Sequence, residues 1–221
     1  MEIFPTAAIE SKLDVLEPGA YIAITCSPTK GIGETLEMSQ RIARRGFRVV
    51  PHVAARMVRD KQHLREIMKR LDDTPIVSLF VPGGDAAKPA GNYTSALDLL
   101  RDVADIGHRF KEIGVAAHPE GHPFISNEVL MEQLLQKQHY ANYIVTQMCF
   151  DAGAISAWLD AARQTGVDLP VCLGIPGASD RNTLIRTSMR IGVGDSLRYL
   201  KKQRRNAAQS VSMPKSWRVF A

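Results

Sequence analysis

The sequence predicts a (β/α)8 barrel of the TIM type, and three observations carry that expectation. Short, β-rich apolar runs recur seven times along the 221 residues, apolar nearly throughout, as in parallel strands buried on both faces. Between most of them lie stretches with helical spacing that stop at a glycine. Lastly, no G-x-G-x-x-G follows the first strand. The pair Gly31 and Gly33 follows the second and lacks the third glycine, which disfavours an open dinucleotide-binding sheet.

The strands read, in order, EIFP (2–5), YIAITC (21–26), RVVPHV (48–53), IVSLFV (76–81), GVAAHP (114–119), YIVTQMCF (143–150) and VCLGIP (171–176). After the second, GETLEMSQRIARRG sets Leu36, Ser39/Gln40 and Ala43 on successive turns and stops at Gly46. SALDLLRDVADIG stops at Gly107, and ISAWLDAARQTG at Gly166. Past the seventh strand come a helical TLIRTSMRIG, a turn VGDS, a basic helix SLRYLKKQRRNAA and SVSMPKSWRVFA. WRVFA is the candidate eighth strand and nothing follows it, so a barrel lacking its last strand–helix unit is expected, cut from a longer protein. One barrel domain over 1–221, with a basic segment from about 198, is the expected organisation.

Composition is that of an ordinary globular protein: 45% hydrophobic, 23% charged, mean hydropathy −0.12. No window offers the ~18 apolar residues of a membrane helix. MEIFPTAAIE lacks the basic and apolar regions of a signal peptide. Cys26, Cys149 and Cys172 sit inside apolar runs with no C-x-x-C, which speaks for reduced core thiols rather than disulfides or a zinc cluster. A cytoplasmic protein is expected. The net charge of +5 is unevenly spread. Residues 181–221 hold ten Lys/Arg and one acid, Asp195, a balance of +9 that leaves −4 on the first 180. Such a tail is compatible with nucleic acid. Aromatic interleaving is sparse there, so a solvated helix face or a site for an acidic small molecule is the simpler reading.

Function in such barrels gathers at the C-terminal strand ends. Those ends offer Glu2, Thr25, His52, Gly83-Gly84-Asp85, His118-Pro119-Glu120-Gly121-His122, Gln147 and Gly174-Ile175-Pro176-Gly177. A neutral polar group inside an apolar strand costs roughly 1–3 kcal/mol unless paired. Several converging on one barrel mouth point to a site, although for any single one a satisfied structural hydrogen bond explains it as well. His52, in particular, also reads as a core histidine paired to a backbone carbonyl. HPEGH invites comparison with H-E-x-x-H, where two histidines share one helix face. Pro119 pushes His118 toward extended geometry, and Gly121 and Pro123 oppose a helix, so a tight turn and no metal site are expected.

Glu2-Ile3-Phe4-Pro5, VVPHV, GGD, VAAHPEGHP, IVTQMCFD and the LGIPG turn occur in that order at suitable spacing. Together they resemble the methylenetetrahydrofolate reductase family, flavin-dependent (β/α)8 barrels, from residue 2 to about residue 200. The resemblance implies reduction of 5,10-methylenetetrahydrofolate to 5-methyltetrahydrofolate, with hydride from NAD(P)H through FAD, and hence tetrahydrofolate derivatives as partners. The resemblance leaves the pathway open between methionine supply and folate recycling. The folate's five-membered ring must open to an iminium before hydride adds, and a protonated carboxylic acid serves that step. Glu2 matches the family's acid. Asp85 matches the aspartate that bonds the pterin and lies near the flavin, and Gln147 the glutamine whose amide suits a pterin edge. Thr25, His52, Gly83, Gly84, Tyr93, His118 and His122 match flavin-contacting positions, and Lys137 stands in for a family lysine from a shifted place.

The chain departs from the family at several of these points. Gly83 replaces an arginine, His118 replaces a tyrosine, and the last strand and a substrate-binding arginine have no counterpart before Ala221. Fewer cations around a pyrophosphate weaken FAD binding, and direct hydride transfer from the nicotinamide becomes the alternative route. The alternative function is a folate- or flavin-binding barrel that supports one-carbon transfer without reductase turnover. A homo-oligomer is left open; membrane and nucleic acid are not expected partners.

Overall fold

The computed structural model describes residues 1–175, with Ala7 and Ala8 described by their backbone alone. The expected eighth strand, the basic segment and the Pro176-Gly177 end of the LGIPG turn lie outside the described residues.

All seven expected strands form: β1 (Glu2–Ile3), β2 (Tyr21–Ile24), β3 (Arg48–Pro51), β4 (Ser78–Val81), β5 (Glu112–Ala117), β6 (Tyr143–Thr146) and β7 (Val171–Cys172). Six of them end two to four residues earlier than their apolar runs do. Apolar residues continue to pack after the backbone has left the ladder, so composition alone overshoots the strand end. The helices are α1 (Ala7–Glu10), α2 (Gly31–Arg44), α3 (Lys61–Asp72), α4 (Ala96–Ile106), α5 (Asn127–Lys137) and α6 (Ala152–Gln164). Short 3-10 turns span Ser11–Val15 and Ala55–Met57.

Cα packing divides the chain into two compact units. Unit 1 comprises Met1–Val115 with His139–Asn142; unit 2 comprises, among the described residues, Ala116–Gln138 and residues 143–175. In unit 1 every strand is parallel to the next. Ile3 pairs with Ile24, Ile24 with Pro51, and Val81 with Val115, while a parallel bridge between His52 and Phe80 joins the third strand to the fourth. Spatial order thus follows chain order. A doubly wound sheet would reverse at a switch point; sequential parallel winding with helices between strands is that of a (β/α) barrel. In unit 2, β6 and β7 pair in parallel through Ile144↔Val171 and Val145↔Cys172.

Helix starts and buried faces follow from local sequence. Asp60 accepts from His63 N–H to start α3, whose Leu64, Ile67, Met68 and Leu71 are buried at helical spacing. Ser95 and Asp98 form a reciprocal capping box on α4, and Asp151 accepts from the Gly153 and Ala154 amides of α6. Ile22, Ile24, Leu36, Leu64, Leu79 and Leu99 are almost fully buried in unit 1. Each contributes roughly 1.5–3 kcal/mol relative to exposure. Unit 2 has a smaller cluster of Cys149, Ile155 and Leu173, with Ala154 and Val171 packed against it. No helix among the described residues is long and apolar enough to cross a membrane.

Candidate active site

Unit 1 brings its candidate residues to adjoining strand ends through a staircase of backbone bonds. Thr25 N–H donates to Ile3 O (3.0 Å), His52 N–H to Ile24 O (2.9 Å), Val53 N–H to Phe80 O (2.9 Å) and Ala55 N–H to Pro82 O (3.0 Å). Glu2, in register with Ala23, therefore stands near the ends that carry Thr25, His52 and Gly83. Surrounding protein desolvates the Glu2 carboxyl and pushes its pKa above the ordinary glutamate value, against the opposing pull of the Met1 ammonium. The carboxyl still keeps water-accessible surface.

The Thr25 side chain is 8% exposed, and its Oγ1 is buried without a hydrogen-bond partner. Such an orphan hydroxyl costs roughly 1–3 kcal/mol. His52 is also 8% exposed, its ring centroid 4.6 Å from that of Phe80. Burial pushes its pKa down to about 3, so it is neutral at ordinary pH. Among the described residues no side-chain hydrogen bond holds its ring, so the carbonyl partner of the alternative core-histidine reading is not found. Gly84 has φ +96°, and a Cβ there would lie 2.9 Å from Ala54 Cβ, so backbone geometry and space both require glycine. Asp85 follows on the exposed side of the same loop. Tyr93 is different: it is buried, and its hydroxyl donates to Asp102 of α4 at 2.7 Å. Burial, then that carboxylate, holds the phenol protonated well above its usual range.

In unit 2 HPEGH is a turn. Gly121, at φ +80°, donates its N–H to His118 O at 2.9 Å, and His122 makes an antiparallel bridge with Ile125. The His118 and His122 rings meet edge to face with centroids 5.2 Å apart. Burial, then the positive charges of His122 and Lys137, pushes His118 down to about 4. Lys137, the last residue of α5, is 8% exposed, and burial pushes its ammonium down to about 8. Gln147 follows β6, and its N–H donates to Ala117 O at 2.7 Å.

Two participants were not foreseen from the sequence. Arg56 donates from Nε to Ala86 O (2.7 Å) and from Nη2 to Ala87 O (2.8 Å), while its own N–H bonds Gly83 O (2.9 Å). It thereby ties down the loop that carries Gly84 and Asp85. An arginine in the otherwise apolar VAARMV run was the available signal. Cys149, read as a core thiol, donates from Sγ to Glu120 Oε1 at 3.2 Å and so orients the carboxylate of the HPEGH turn.

The two units thus offer different chemistry. Unit 1 presents neutral buried polar groups beside a desolvated acid, suited to an uncharged hydrogen-bonding ring. Unit 2 presents basic groups held partly deprotonated by burial, suited to an anion.

The sequence model of the methylenetetrahydrofolate reductase family matches residues 11–189. Methylenetetrahydrofolate reductase 1 of Schizosaccharomyces pombe is 28% identical over 134 residues, 57% of this chain and 22% of its own. Methylenetetrahydrofolate reductase 2 of Saccharomyces cerevisiae is 34% identical over 104 residues, 42% of this chain and 17% of its own. The 5,10-methylenetetrahydrofolate reductase of Pectobacterium carotovorum is 29% identical over 174 residues, 74% of this chain and 55% of its own. This chain therefore spans from under a fifth to about half of the length of these curated relatives. Among solved structures, a putative lyase/mutase from Burkholderia cenocepacia superposes with a TM-score of 0.53 at 14% identity, covering 97% of this chain and 87% of that one. That likeness is one of fold alone.

Proposed function

The chain belongs to the methylenetetrahydrofolate reductase family, and from that premise we propose that it reduces 5,10-methylenetetrahydrofolate to 5-methyltetrahydrofolate with hydride from NAD(P)H. The observation that carries the proposal is Glu2, a carboxyl held above its ordinary pKa at the strand-end edge shared by Thr25 and His52. Glu2 precedes the matched residues 11–189, so its assignment rests on the EIFP strand and on this environment.

In the proposed reaction the Glu2 proton goes to N10 as the C–N10 bond of the imidazolidine ring breaks, leaving an N5 iminium. Hydride adds to the iminium carbon and makes the methyl group; the nicotinamide is oxidised, and solvent restores the Glu2 proton. A general acid contributes most when its pKa lies near the working pH, and desolvation moves Glu2 upward in that direction. Asp85 is assigned to the pterin, and Gln147 to its amide-like edge through paired donor and acceptor groups.

The residues fit FAD on one count that is independent of family: Thr25 Oγ1 is a buried hydroxyl that still needs a partner. Thr25, His52, Gly83, Gly84, Asp85 and Tyr93 of unit 1 would hold the cofactor, while His118, His122 and Lys137 keep their cofactor assignment from the family resemblance alone. FAD, when bound, supplies two-electron relay between nicotinamide and folate. Neutral His52 adds no charge, and Lys137 would regain its full charge beside a phosphate. Gly83 contributes no cation, which favours direct transfer from NAD(P)H should the protein purify without flavin. On this reading the protein works in the cytoplasm as one barrel domain.

The test is turnover of the purified chain with methylenetetrahydrofolate and NAD(P)H, together with its visible spectrum. Activity with a flavin absorbance supports the FAD route, and activity in a colourless protein supports the direct one. Folate binding without turnover would replace the reductase reading by the binding-protein alternative.

A further inference from the structure

A cavity of about 780 Å³ opens in unit 1 between the start of α2, α3 and the loop after β4. Glu2, Thr25, His52 and Asp85 do not line it. Arg56, Arg59, Arg70 and Lys88 do, against a single acid, Glu66. Among the described residues neither Arg59 nor Lys88 has an ion-pair partner, and the pair Arg70 makes with Glu37 is loose at 3.8 Å. Arg56 bonds only neutral carbonyls, which fixes its charge in place without cancelling it.

The start of α2 adds donors to these cations. Side chains of Asp60, Ser95, Ser126 and Asp151 cap α3 to α6, whereas α2 has no side-chain cap. Ile32 and Gly33 line the cavity, and their amides find no acceptor among the described residues. Uncancelled guanidinium and ammonium groups beside open helix-start amides match the oxygens of a phosphate. The volume is that of a small-molecule site rather than of one phosphate ion, and Leu36 and Ile67 supply apolar wall for the remainder.

We propose that this cavity binds a nucleotide-sized molecule carrying two or more phosphoryl groups, held by Arg59, Lys88 and the α2 amides. Two sources share that chemistry. One is the phosphates of the hydride donor, which rests on the reductase reading. The other is a free nucleotide bound independently of turnover.

The test is calorimetric titration of the full chain with ADP and with tripolyphosphate at low ionic strength. Both should bind, and the double variant Arg59→Gln/Lys88→Gln should weaken both by about tenfold or more. Lys69→Gln, on the same helix but outside the cavity, should retain affinity and serves as the charge-matched control. Gly33→Asp has open space for its Cβ, and its carboxylate would occupy the helix start in place of the ligand. It should raise Tm while weakening ADP by about tenfold, a pairing that damage to folding cannot produce. No binding of either probe at millimolar concentration, or binding that survives both the double variant and Gly33→Asp, overturns the proposal. If the double variant also raises the KM for NADPH at unchanged kcat, the donor is the source; an unchanged KM identifies a free nucleotide. Binding is read without turnover, so an inactive reductase leaves this test standing.

Discussion

The strand ends of unit 1 and the HPEGH turn of unit 2 both bury polar groups, yet they handle the charge in opposite ways. Thr25 and His52 are buried neutral, one with an unpaired hydroxyl and the other with a pKa of about 3. Lys137 and His118 are buried as bases, at about 8 and about 4. A neutral orphan waits for a hydrogen bond, whereas a desolvated base waits for a negative charge. The difference separates where a ring would be read from where an anion would be held, and each side can be broken independently.

The largest effect is expected at the acid. Glu2→Gln keeps shape and loses the proton, so turnover should fall by roughly 10²–10⁴ while folate binding survives. In the wild type, activity should decline as pH rises through the raised Glu2 pKa. Turnover indifferent to the substitution would sink the assignment.

Next come two glycines that test the backbone frame of each unit. A Cβ at Gly91 would lie 1.8 Å from Arg59 O in unit 1, and one at Gly174 would lie 2.3 Å from Thr146 O in unit 2. Gly91→Ala and Gly174→Ala should each destabilise by about 2–4 kcal/mol in denaturant titration. Gly33→Ala, with open space around it, should not.

Lys137→Met sharpens the contrast, because the folded protein holds the ammonium against burial. Removing it should stabilise the fold by on the order of 1–3 kcal/mol and weaken binding of an anionic ligand. A loss of stability instead would mean that the charge is paired. The histidines give a pH counterpart. Both have folded pKa values below 6.5, so as pH falls the unfolded chain takes up protons first. Stability present above about 6.5 should be lost from there toward pH 4, on the order of 1–2 kcal/mol per histidine by pH 5. Equilibrium unfolding at pH 7 and pH 5, with and without His52→Gln, checks the sign.

The smallest effect is at Thr25. Thr25→Val removes the orphan hydroxyl at nearly constant volume and should stabilise by about 1 kcal/mol. Ligand affinity should fall; affinity left intact would show that the hydroxyl has no ligand.

Residues 1–175 show how far patterning reaches. Near-continuous apolar runs identified every strand, because a parallel strand buried on both faces has no polar side to interrupt it. Gly107 and Gly166 marked the ends of α4 and α6, and both have the positive φ that favours glycine. Pro119 and Gly121 excluded a helical HPEGH before any coordinate did. These are local facts, decided by backbone sterics within a few residues. Strand ends were misjudged because leaving the ladder depends on neighbours far along the chain. Tertiary structure alone decided that Tyr93 turns its hydroxyl to Asp102, that Arg56 fastens the Gly84 loop, and that Cys149 bonds Glu120 across 29 residues. It also decided the protonation contrast between His52 and Lys137. A pKa is set by desolvation and nearby charge, and neither exists until the chain has folded.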